Sequence, residues 1–334
     1  MHRGRARTIL ANFPNETVAQ PNAMKPCTKG ASRSRRRFLS ALGAAATTVL
    51  PGVSFGQAGS PLLRPIPSTG EMLPAIGLGT WITFNVGSAT AARAPLVPVV
   101  DRFFERGGAL IDSSPMYGTS EAVIGDLLAK TNGRQRLFSA TKVWTYGQAA
   151  GERQMEASRR LWGVPRFDLI QIHNMLHWEA HVETLKSWKA QGKVRYIGIT
   201  TSHGRRHAEL EKALSRVPFD FVQFTYSLAD RDVEQRLLPL AAERKIAVVI
   251  NRPFDGGDLF ATVKGKPVPR WAREFDCENW AQFFLKFIAS HPAVTCAIPA
   301  TSQAAHVAEN MGALYGRLPD AKLRERMAQH FAQL

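Results

Sequence analysis

Residues 109–112 read ALID, and residues 113–140 continue as SSPMYGTSEAVIGDLLAKTNGRQRLFSA. An apolar run at 109–111 leads into a polar loop, an amphipathic segment at 121–130 and a second apolar run at 137–140. Apolar residues recur at three- and four-residue steps in the middle segment, which predicts a helix with Ser120 as its N-cap. Two short apolar runs joined by a helix are typical of a strand–helix–strand unit in a parallel sheet.

The same alternation continues along the chain beyond residue 70, and Ser302 is a second expected N-cap. Eight apolar runs can be counted, at 76–79, 109–111, 137–140, 168–172, 196–199, 221–224, 246–250 and 295–298. Eight strands alternating with outer helices predict an α/β protein with a (β/α)₈ TIM barrel. A doubly wound open sheet is the alternative, but it requires a glycine-rich first turn, and GLGTW at 77–81 lacks the third glycine of GxGxxG.

Four polar residues suited to proton transfer stand where predicted strands end. Asp112 follows the second run, Lys142 the third and His173 the fourth, while Tyr117 lies in the loop after Asp112. The strand ends of a (β/α)₈ barrel meet at one mouth, where active sites are built. The ordinary pKa of a tyrosine phenol is about 10, so a tyrosine that donates a proton near neutral pH needs a cation such as Lys142 beside it. Asp112 would keep that lysine charged. His173 could donate a hydrogen bond to a substrate oxygen. Alternatively, each residue caps or pairs within its own loop.

Aromatic residues and long loops are expected around this mouth. Trp81 and Trp144 directly follow the first and third runs, and their rings are expected to form flat walls of a substrate pocket, with core packing as the alternative. The loops at 145–151 and 255–275 are longer than the fold requires, so we expect them to act as lids or pocket walls.

The first 58 residues differ from the rest and are typical of an export signal. SRRRFLS at 34–40 is a twin-arginine pattern, and the mildly apolar stretch at 41–50 is too short to span a bilayer. Cleavage after Ala58 would leave residues 59–334 as a single barrel domain, and translation from Met24 would shorten the signal. We expect export by the twin-arginine machinery, a periplasmic location and no stable membrane insertion after cleavage. The alternative is a basic disordered tail.

The net charge of +16 at pH 7 does not indicate nucleic-acid binding once it is divided along the chain. Half of it lies in residues 1–40, which hold nine lysines and arginines and one glutamate, and no basic motif interleaved with aromatic residues follows. Cys277 and Cys296 have no metal-ligand spacing, so no metal is expected. The two could pair in an oxidising periplasm, but Cys296 lies in an apolar run and is expected to be a buried free thiol.

Over residues 62–316 the chain closely resembles the aldo-keto reductase family. The matching motifs are GLGTW at 77–81, the loop from Asp112 through Tyr117 to Gly118, Thr141-Lys142, Ile172-His173 and Gln223. The resemblance implies that NADPH delivers hydride to an aldehyde or ketone while Tyr117 acts as the general acid. It also implies that His173 orients the carbonyl and that Lys142, together with Asp112, lowers the pKa of the phenol.

The resemblance further implies a site for the nicotinamide nucleotide. Its expected residues are Gly79, Thr80, Gln223, Thr301, Glu309 and Asn310. Ala300 and His306 stand where family members specific for NADPH carry a lysine and an arginine that hold the 2′-phosphate, so NADP(H) and NAD(H) both stay open. Asn251 replaces a tyrosine that stacks on the nicotinamide, and the neighbouring Arg252 could compensate by pairing with the pyrophosphate.

The leading hypothesis is an NAD(P)-dependent enzyme that reduces a small carbonyl compound or oxidises the matching alcohol. An exported binding or accessory protein without useful turnover is the second hypothesis. A lyase or isomerase acting at the same mouth without a nucleotide is the third, since a fold alone decides no function. Because the periplasm maintains no pool of reduced nicotinamide, an exported reductase is expected to fold around its nucleotide in the cytoplasm.

Overall fold

A hairpin of two short strands, β1 (Leu63–Pro65) and β2 (Met72–Pro74), precedes eight parallel strands that form the centre of the protein. The structure is a computed structural model that describes residues 59–334, so the expected twin-arginine signal lies outside the described residues. The parallel strands are β3 (Leu78–Gly79), β4 (Leu110–Asp112), β5 (Phe138–Val143), β6 (Phe167–Ile172), β7 (Val194–Thr200), β8 (Phe221–Thr225), β9 (Ala247–Asn251) and β10 (Cys296–Ala297). Each overlaps one of the eight apolar runs, and the predicted (β/α)₈ barrel is confirmed.

The sheet closes on itself where the first barrel strand meets the last. Ile76 and Gly79 form parallel bridges with Ala297 and Ala300, and the N–H of Gly79 donates to the carbonyl of Pro299 at 2.9 Å. A Cβ at position 79 would lie 2.7 Å from a carbonyl oxygen of the facing segment. Only glycine therefore permits this close approach. The closure of the sheet rules out the open sheet considered from the sequence.

Helices cover the outside of the barrel. They are α1 (Thr90–Arg93), α2 (Val97–Glu105), α3 (Ser120–Leu128), α4 (Gln148–Trp162), α5 (Trp178–Ala190), α6 (His207–Arg216), α7 (Leu237–Glu243), α8 (Asp258–Thr262), α9 (Trp280–Ala289), α10 (Ala304–Gly312) and α11 (Ala321–Phe331). Both predicted N-caps are wrong, because Thr119 precedes α3 and Gln303 precedes α10. The hydroxyl of Ser120 instead donates to the carbonyl of Tyr117 at 2.9 Å, which ties α3 to the loop before it.

The hairpin closes the end of the barrel at which the strands begin. Leu73 of β2 and Ile66, just after β1, belong to a buried cluster with side chains from the starts of the strands, among them Phe138, Tyr196 and Phe221. The rings of Phe138 and Tyr196 stack with their centroids 5.9 Å apart. With this end filled, the opposite face, where the strands end, is left for a site.

Cys277 and Cys296 are free and buried, as expected for Cys296. Within residues 59–334 no helix combines the length and apolar character needed to cross a membrane. The same residues contain no group of three or more histidine, cysteine, aspartate or glutamate side chains placed to hold a metal ion.

Candidate active site

Polar side chains gather at the ends of three neighbouring strands. Asp112 is the last residue of β4, Lys142 lies near the end of β5, and His173 directly follows β6. Tyr117 lies in the loop between β4 and α3, where Gly118 turns the chain with a φ of 61°. The structure brings these four side chains together at one mouth, as the spacing of the strands predicts.

A buried ion pair lies at the base of the group. The Lys142 ammonium donates to Oδ2 of Asp112 and, at 2.9 Å, to the carbonyl of Ser113. Complete burial lowers the pKa of Lys142, but the negative charge of Asp112 and the neighbouring Tyr117 outweigh burial and raise the pKa above its ordinary value. The lysine is therefore charged at neutral pH.

Two glutamines hold the carboxylate of Asp112 at its other oxygen. Gln171 on β6 donates its amide N–H to Oδ1 at 3.0 Å, and Gln223 on β8 does so at 3.2 Å. Asn251, at the end of β9, extends the network, since its Nδ2 donates to Oε1 of Gln223 at 3.4 Å and to the carbonyl of Thr201 at 2.9 Å. Because the carboxylate is buried and all its partners come from barrel strands, its position is fixed by the fold.

The phenol of Tyr117 does not behave as the sequence suggested. Burial raises its pKa; Lys142, whose Nζ lies 5.1 Å from the ring centroid, lowers it; and the negative charge of Asp112 raises it again. The net effect is a raised pKa. The expectation that Lys142 and Asp112 together lower it is wrong, because only the lysine does so and it offsets just part of the burial. The phenol is therefore protonated at neutral pH.

His173 packs against this phenol and is held in one orientation. Its ring meets the ring of Tyr117 edge-on, with centroids 5.6 Å apart. Its Nδ1 lies 2.9 Å from the hydroxyl of Ser114, which in turn accepts from the backbone N–H of Met116 at 3.2 Å. Burial, aided by the charge of Lys142, lowers the pKa of His173 well below its ordinary value. The ring is therefore neutral, and a tautomer with its proton on Nε2 would let Nδ1 accept from the Ser114 hydroxyl.

A cavity of about 500 Å³ opens beside these residues. Asp112, Tyr117 and His173 line one part of it, and the indole of Trp81 and the ring of Phe254 contribute apolar walls. The cationic and imidazole side chains elsewhere in its lining are His203, Arg205 and Arg252. The volume falls in the range of small-molecule sites, roughly 300–1,000 Å³.

The residues predicted to bind the nucleotide fall into two groups. Those that line the cavity are Gly79, Thr80 and Gln223. Those that lie outside its lining are Thr301, Glu309 and Asn310. Thr301 and Asn310 are buried and Glu309 is exposed. The hydroxyl of Thr301 accepts from the N–H of Gln303 at 3.1 Å, in the turn that precedes α10.

Only one of the two tryptophans expected to form walls of the pocket does so. Trp81 lines the cavity, whereas Trp144 does not; its backbone N–H and carbonyl are bonded to the side chain of Gln154. Of the two long loops, the one at 255–275 contributes Gly256, Gly257 and Phe260 to the lining, and the one at 145–151 contributes no residue. Of the two long loops, only the one that follows β9 therefore bounds the cavity.

Two residues of the site were not anticipated from the sequence, and a third makes a contact other than the one expected. Gln171 was counted as part of an apolar strand, although a lone amide within such a run signals a buried polar contact. Ser114 had no recognisable signal beyond its place between Asp112 and Tyr117. Arg252, expected to pair with a pyrophosphate, forms a 2.8 Å ion pair with Asp255 in this structure and also lines the cavity.

A closed (β/α)₈ barrel with a buried lysine–carboxylate pair, a protonated phenol and a neutral imidazole at its C-terminal mouth defines a class of enzyme, one equipped to move a proton at that mouth. The family model described as Aldo/keto reductase family matches residues 75–327. The chain belongs to the aldo/keto reductase family, which confirms the resemblance seen in its motifs.

Relatives of known name share most of this barrel. The methylglyoxal reductase YeaE of Escherichia coli (strain K12) is 30% identical over 258 residues, which cover 75% of this chain and 89% of that protein. The NADH-specific methylglyoxal reductase of the same organism is 29% identical over 247 residues, which cover 63% of this chain and 72% of that protein. An aldo/keto reductase of Klebsiella pneumoniae, solved in complex with NADP and acetate, matches with a TM-score of 0.64 at 25% identity, covering 78% of this chain and 93% of that chain.

Proposed function

We propose that the protein uses NAD(P)H to reduce a small aldehyde or ketone to an alcohol, or catalyses the reverse reaction, with Tyr117 as the general acid. The observation that carries the proposal is the protonated phenol held beside the buried pair of Lys142 and Asp112 at the cavity. Two relatives act on methylglyoxal, a small 2-oxoaldehyde, which supports a small carbonyl compound as the substrate.

The cavity fits a nicotinamide nucleotide. Gly79, Gly256 and Gly257 bring backbone to its surface without side chains. The hydroxyl of Thr83 and the Nε of Arg252 belong to lining residues, are buried, and have no hydrogen-bond partner among the described residues. Such groups can bond to the polar atoms of a nucleotide. When bound, the nicotinamide supplies the hydride that reaches the carbonyl carbon.

The side chains of this chain then manage the proton and the developing negative charge. Tyr117 donates its proton to the carbonyl oxygen as that oxygen becomes basic. The ammonium of Lys142 stabilises the phenolate that remains, and Asp112 keeps that ammonium charged and in place. His173, neutral and protonated on Nε2, donates a hydrogen bond to the same oxygen and orients the carbonyl.

We propose that both NADP(H) and NAD(H) are candidates for the cofactor. Ala300 carries no charge, and His306 is exposed with its Nδ1 3.5 Å from the hydroxyl of Thr301, so this segment offers no fixed cation for a 2′-phosphate. One relative is described as NADH-specific, whereas the Klebsiella pneumoniae protein was solved with NADP.

The decisive test compares Tyr117→Phe with the wild type. Phenylalanine keeps the ring against His173 and removes only the hydroxyl, so the fold should be unchanged. We expect kcat/KM for methylglyoxal and related aldehydes to fall by about 10²–10⁴-fold, followed through the oxidation of NADPH and NADH. Equal rates for the two proteins across the panel would refute the proposal. Thermal stabilisation by nucleotide without turnover would favour the binding-protein alternative.

We also propose that the protein is exported through the twin-arginine pathway with its nucleotide already bound. The support is the twin-arginine pattern at 34–40 together with a nucleotide-type cavity in the barrel. Protein purified from the periplasmic fraction should release a nicotinamide nucleotide when it is denatured. Its absence, or retention of the protein in the cytoplasmic fraction, would argue against the idea.

A further inference from the structure

The loop that follows β3 borders the cavity and also contacts the segment that carries the phenol. We refer to residues 81–87 as the wall loop, because its side chains Trp81 and Ile82 belong to the lining of the cavity that also holds Tyr117. Phe84, in the middle of the loop, is fully buried and packs in the main core of the barrel. The wall loop is thus fixed to the core at one point and forms part of the cavity wall at another.

The amide of Asn85 joins the wall loop to the chain that follows Tyr117. Its Oδ1 accepts from the backbone N–H of Thr119 at 2.9 Å and from the hydroxyl of the same residue at 3.0 Å. The hydroxyl oxygen of Thr119 in turn accepts from the backbone N–H of Gly87 at 2.9 Å. The wall loop is therefore hydrogen-bonded, through both Asn85 and Gly87, to a residue that stands two positions after the phenol.

Gly118 lies against this amide and leaves room for it. Its φ is 61°, and a Cβ at this position would lie 2.4 Å from Oδ1 of Asn85 and 2.7 Å from the amide carbon. Only glycine therefore allows both the turn and the close approach. The neighbouring backbone of Tyr117 is bonded at both of its polar atoms, since its N–H donates to the carbonyl of Ser114 at 2.9 Å and its carbonyl accepts from the hydroxyl of Ser120 at 2.9 Å. The contact from Asn85 completes this frame on the side of the wall loop.

A second link ties the end of the wall loop to α3. Arg93 donates from Nε to the carbonyl of Gly87 at 2.9 Å and forms an ion pair with Asp126 on α3. Within the wall loop, Ile82 has a φ of 64°, which is a strained conformation for a β-branched residue. Such strain persists only where the surrounding contacts fix the backbone. The links from Asn85 and Arg93 are contacts of this kind, so the wall loop and the start of α3 are held together.

We propose that Asn85 is a positioning residue for the general acid, because it holds Thr119 and thereby fixes Tyr117 at the cavity. This inference rests on the proposed function, in which Tyr117 donates the proton. Asn85 is exposed and lies outside the cavity lining, so it acts through the backbone and not on the substrate. Because the wall loop also forms part of the cavity wall, the surface that meets the substrate and the frame that holds the acid belong to one unit.

The experiment compares kcat and KM of purified Asn85→Ala with those of the wild type, using methylglyoxal with NADPH or NADH. We expect kcat to fall about 10-fold or more while KM for the nucleotide stays within about twofold, since a misplacement of about 1 Å can cost about 10²-fold in rate. Asn85→Asp keeps the accepting oxygen and should restore most of kcat. The matched control is Gln154→Ala, because the amide of Gln154 likewise holds the backbone of Trp144 by two hydrogen bonds, outside the cavity lining. This control should leave kcat unchanged.

A second measurement separates a positioning role from a general effect on the fold. In the Tyr117→Phe protein the acidic hydroxyl is absent, so adding Asn85→Ala should not lower the residual rate further. An equal loss of kcat in both backgrounds would show that Asn85 does not act through the phenol, and it would overturn the assignment.

The remaining outcomes also decide the question. If Tyr117→Phe is impaired and Asn85→Ala has the kcat of the wild type, only this inference fails. If the wild type shows no turnover that depends on Tyr117, the proposed function fails and this inference fails with it. Should Asn85→Ala not fold, Thr119→Val removes the hydroxyl that donates to Asn85 and should lower kcat in the same way. A wild-type kcat in Thr119→Val would then overturn the assignment.

Discussion

Replacing Lys142 by methionine keeps most of the side-chain volume and removes the charge that balances Asp112. Lys142 is fully buried and Asp112 is 2% exposed, so the carboxylate cannot recover the lost interaction from water. Removing one partner of a buried pair costs about 3–5 kcal/mol. Gln171 and Gln223 would still donate to the carboxylate at 3.0 and 3.2 Å, so we expect a loss near the lower limit, about 3 kcal/mol.

Urea unfolding measures this loss, and a second variant separates charge from packing. In Asp112→Asn/Lys142→Met no charge stays buried, so its loss should be smaller than the sum of the two single losses by at least about 1 kcal/mol. The control is Lys186→Met, which breaks an exposed pair with Glu183 and should cost less than about 1 kcal/mol. Additive losses, or a Lys142→Met protein as stable as Lys186→Met, would show that the buried pair does not act as described.

Contacts in and around the site lead to three further predictions. The stability of the wild type should fall as the pH drops below about 6.5, because His173 takes up a proton in the unfolded chain but, with its lowered pKa, stays neutral in the folded protein. His173→Gln should therefore reduce the dependence of the urea midpoint on pH. An unchanged pH dependence would contradict the argument. Gln171→Leu should lower kcat/KM about tenfold or more with little change in KM, since Asp112 loses a charge-assisted hydrogen bond; wild-type kinetics in this variant would exclude a positioning role. Gly125→Ala should destabilise the barrel by at least about 1–3 kcal/mol in thermal unfolding, because the added Cβ would overlap the carbonyl oxygen of Leu161. The control is Gly59→Ala, which should leave the stability unchanged because the space around the added Cβ is open.

The architecture could be predicted because it follows from a repeated pattern. Each of the eight apolar runs, such as those at 168–172 and 246–250, became a barrel strand, since short apolar segments between amphipathic ones can all be buried in a parallel barrel. The positions of Asp112, Lys142 and His173 followed from the same rule, because residues at strand ends share one mouth. Local details such as the cap at Ser120 could not be predicted, since neighbouring polar residues compete for the same role.

The electrostatics of the site could not be predicted because burial has no sequence signal of its own. A lysine beside a tyrosine suggested a lowered phenol pKa, yet the enclosure of Tyr117 decides the direction. Contacts between distant strands were equally hidden, since Gln171 and Gln223 meet Asp112 across 59 and 111 residues of chain. Trp81 and Trp144 both lie just after a strand, so the sequence does not distinguish them. The path of each loop decides that Trp81 lines the cavity and Trp144 does not.

The contacts of Asp112 also bear on how the barrel is assembled. Its partners arrive from β5, β6 and β8: Lys142 balances its charge, and the amides of Gln171 and Gln223 donate to its other oxygen. Burial of the carboxylate therefore costs least when all three strands are in place, because each missing contact would leave the buried charge less well compensated. The site is therefore complete only when the whole barrel has formed.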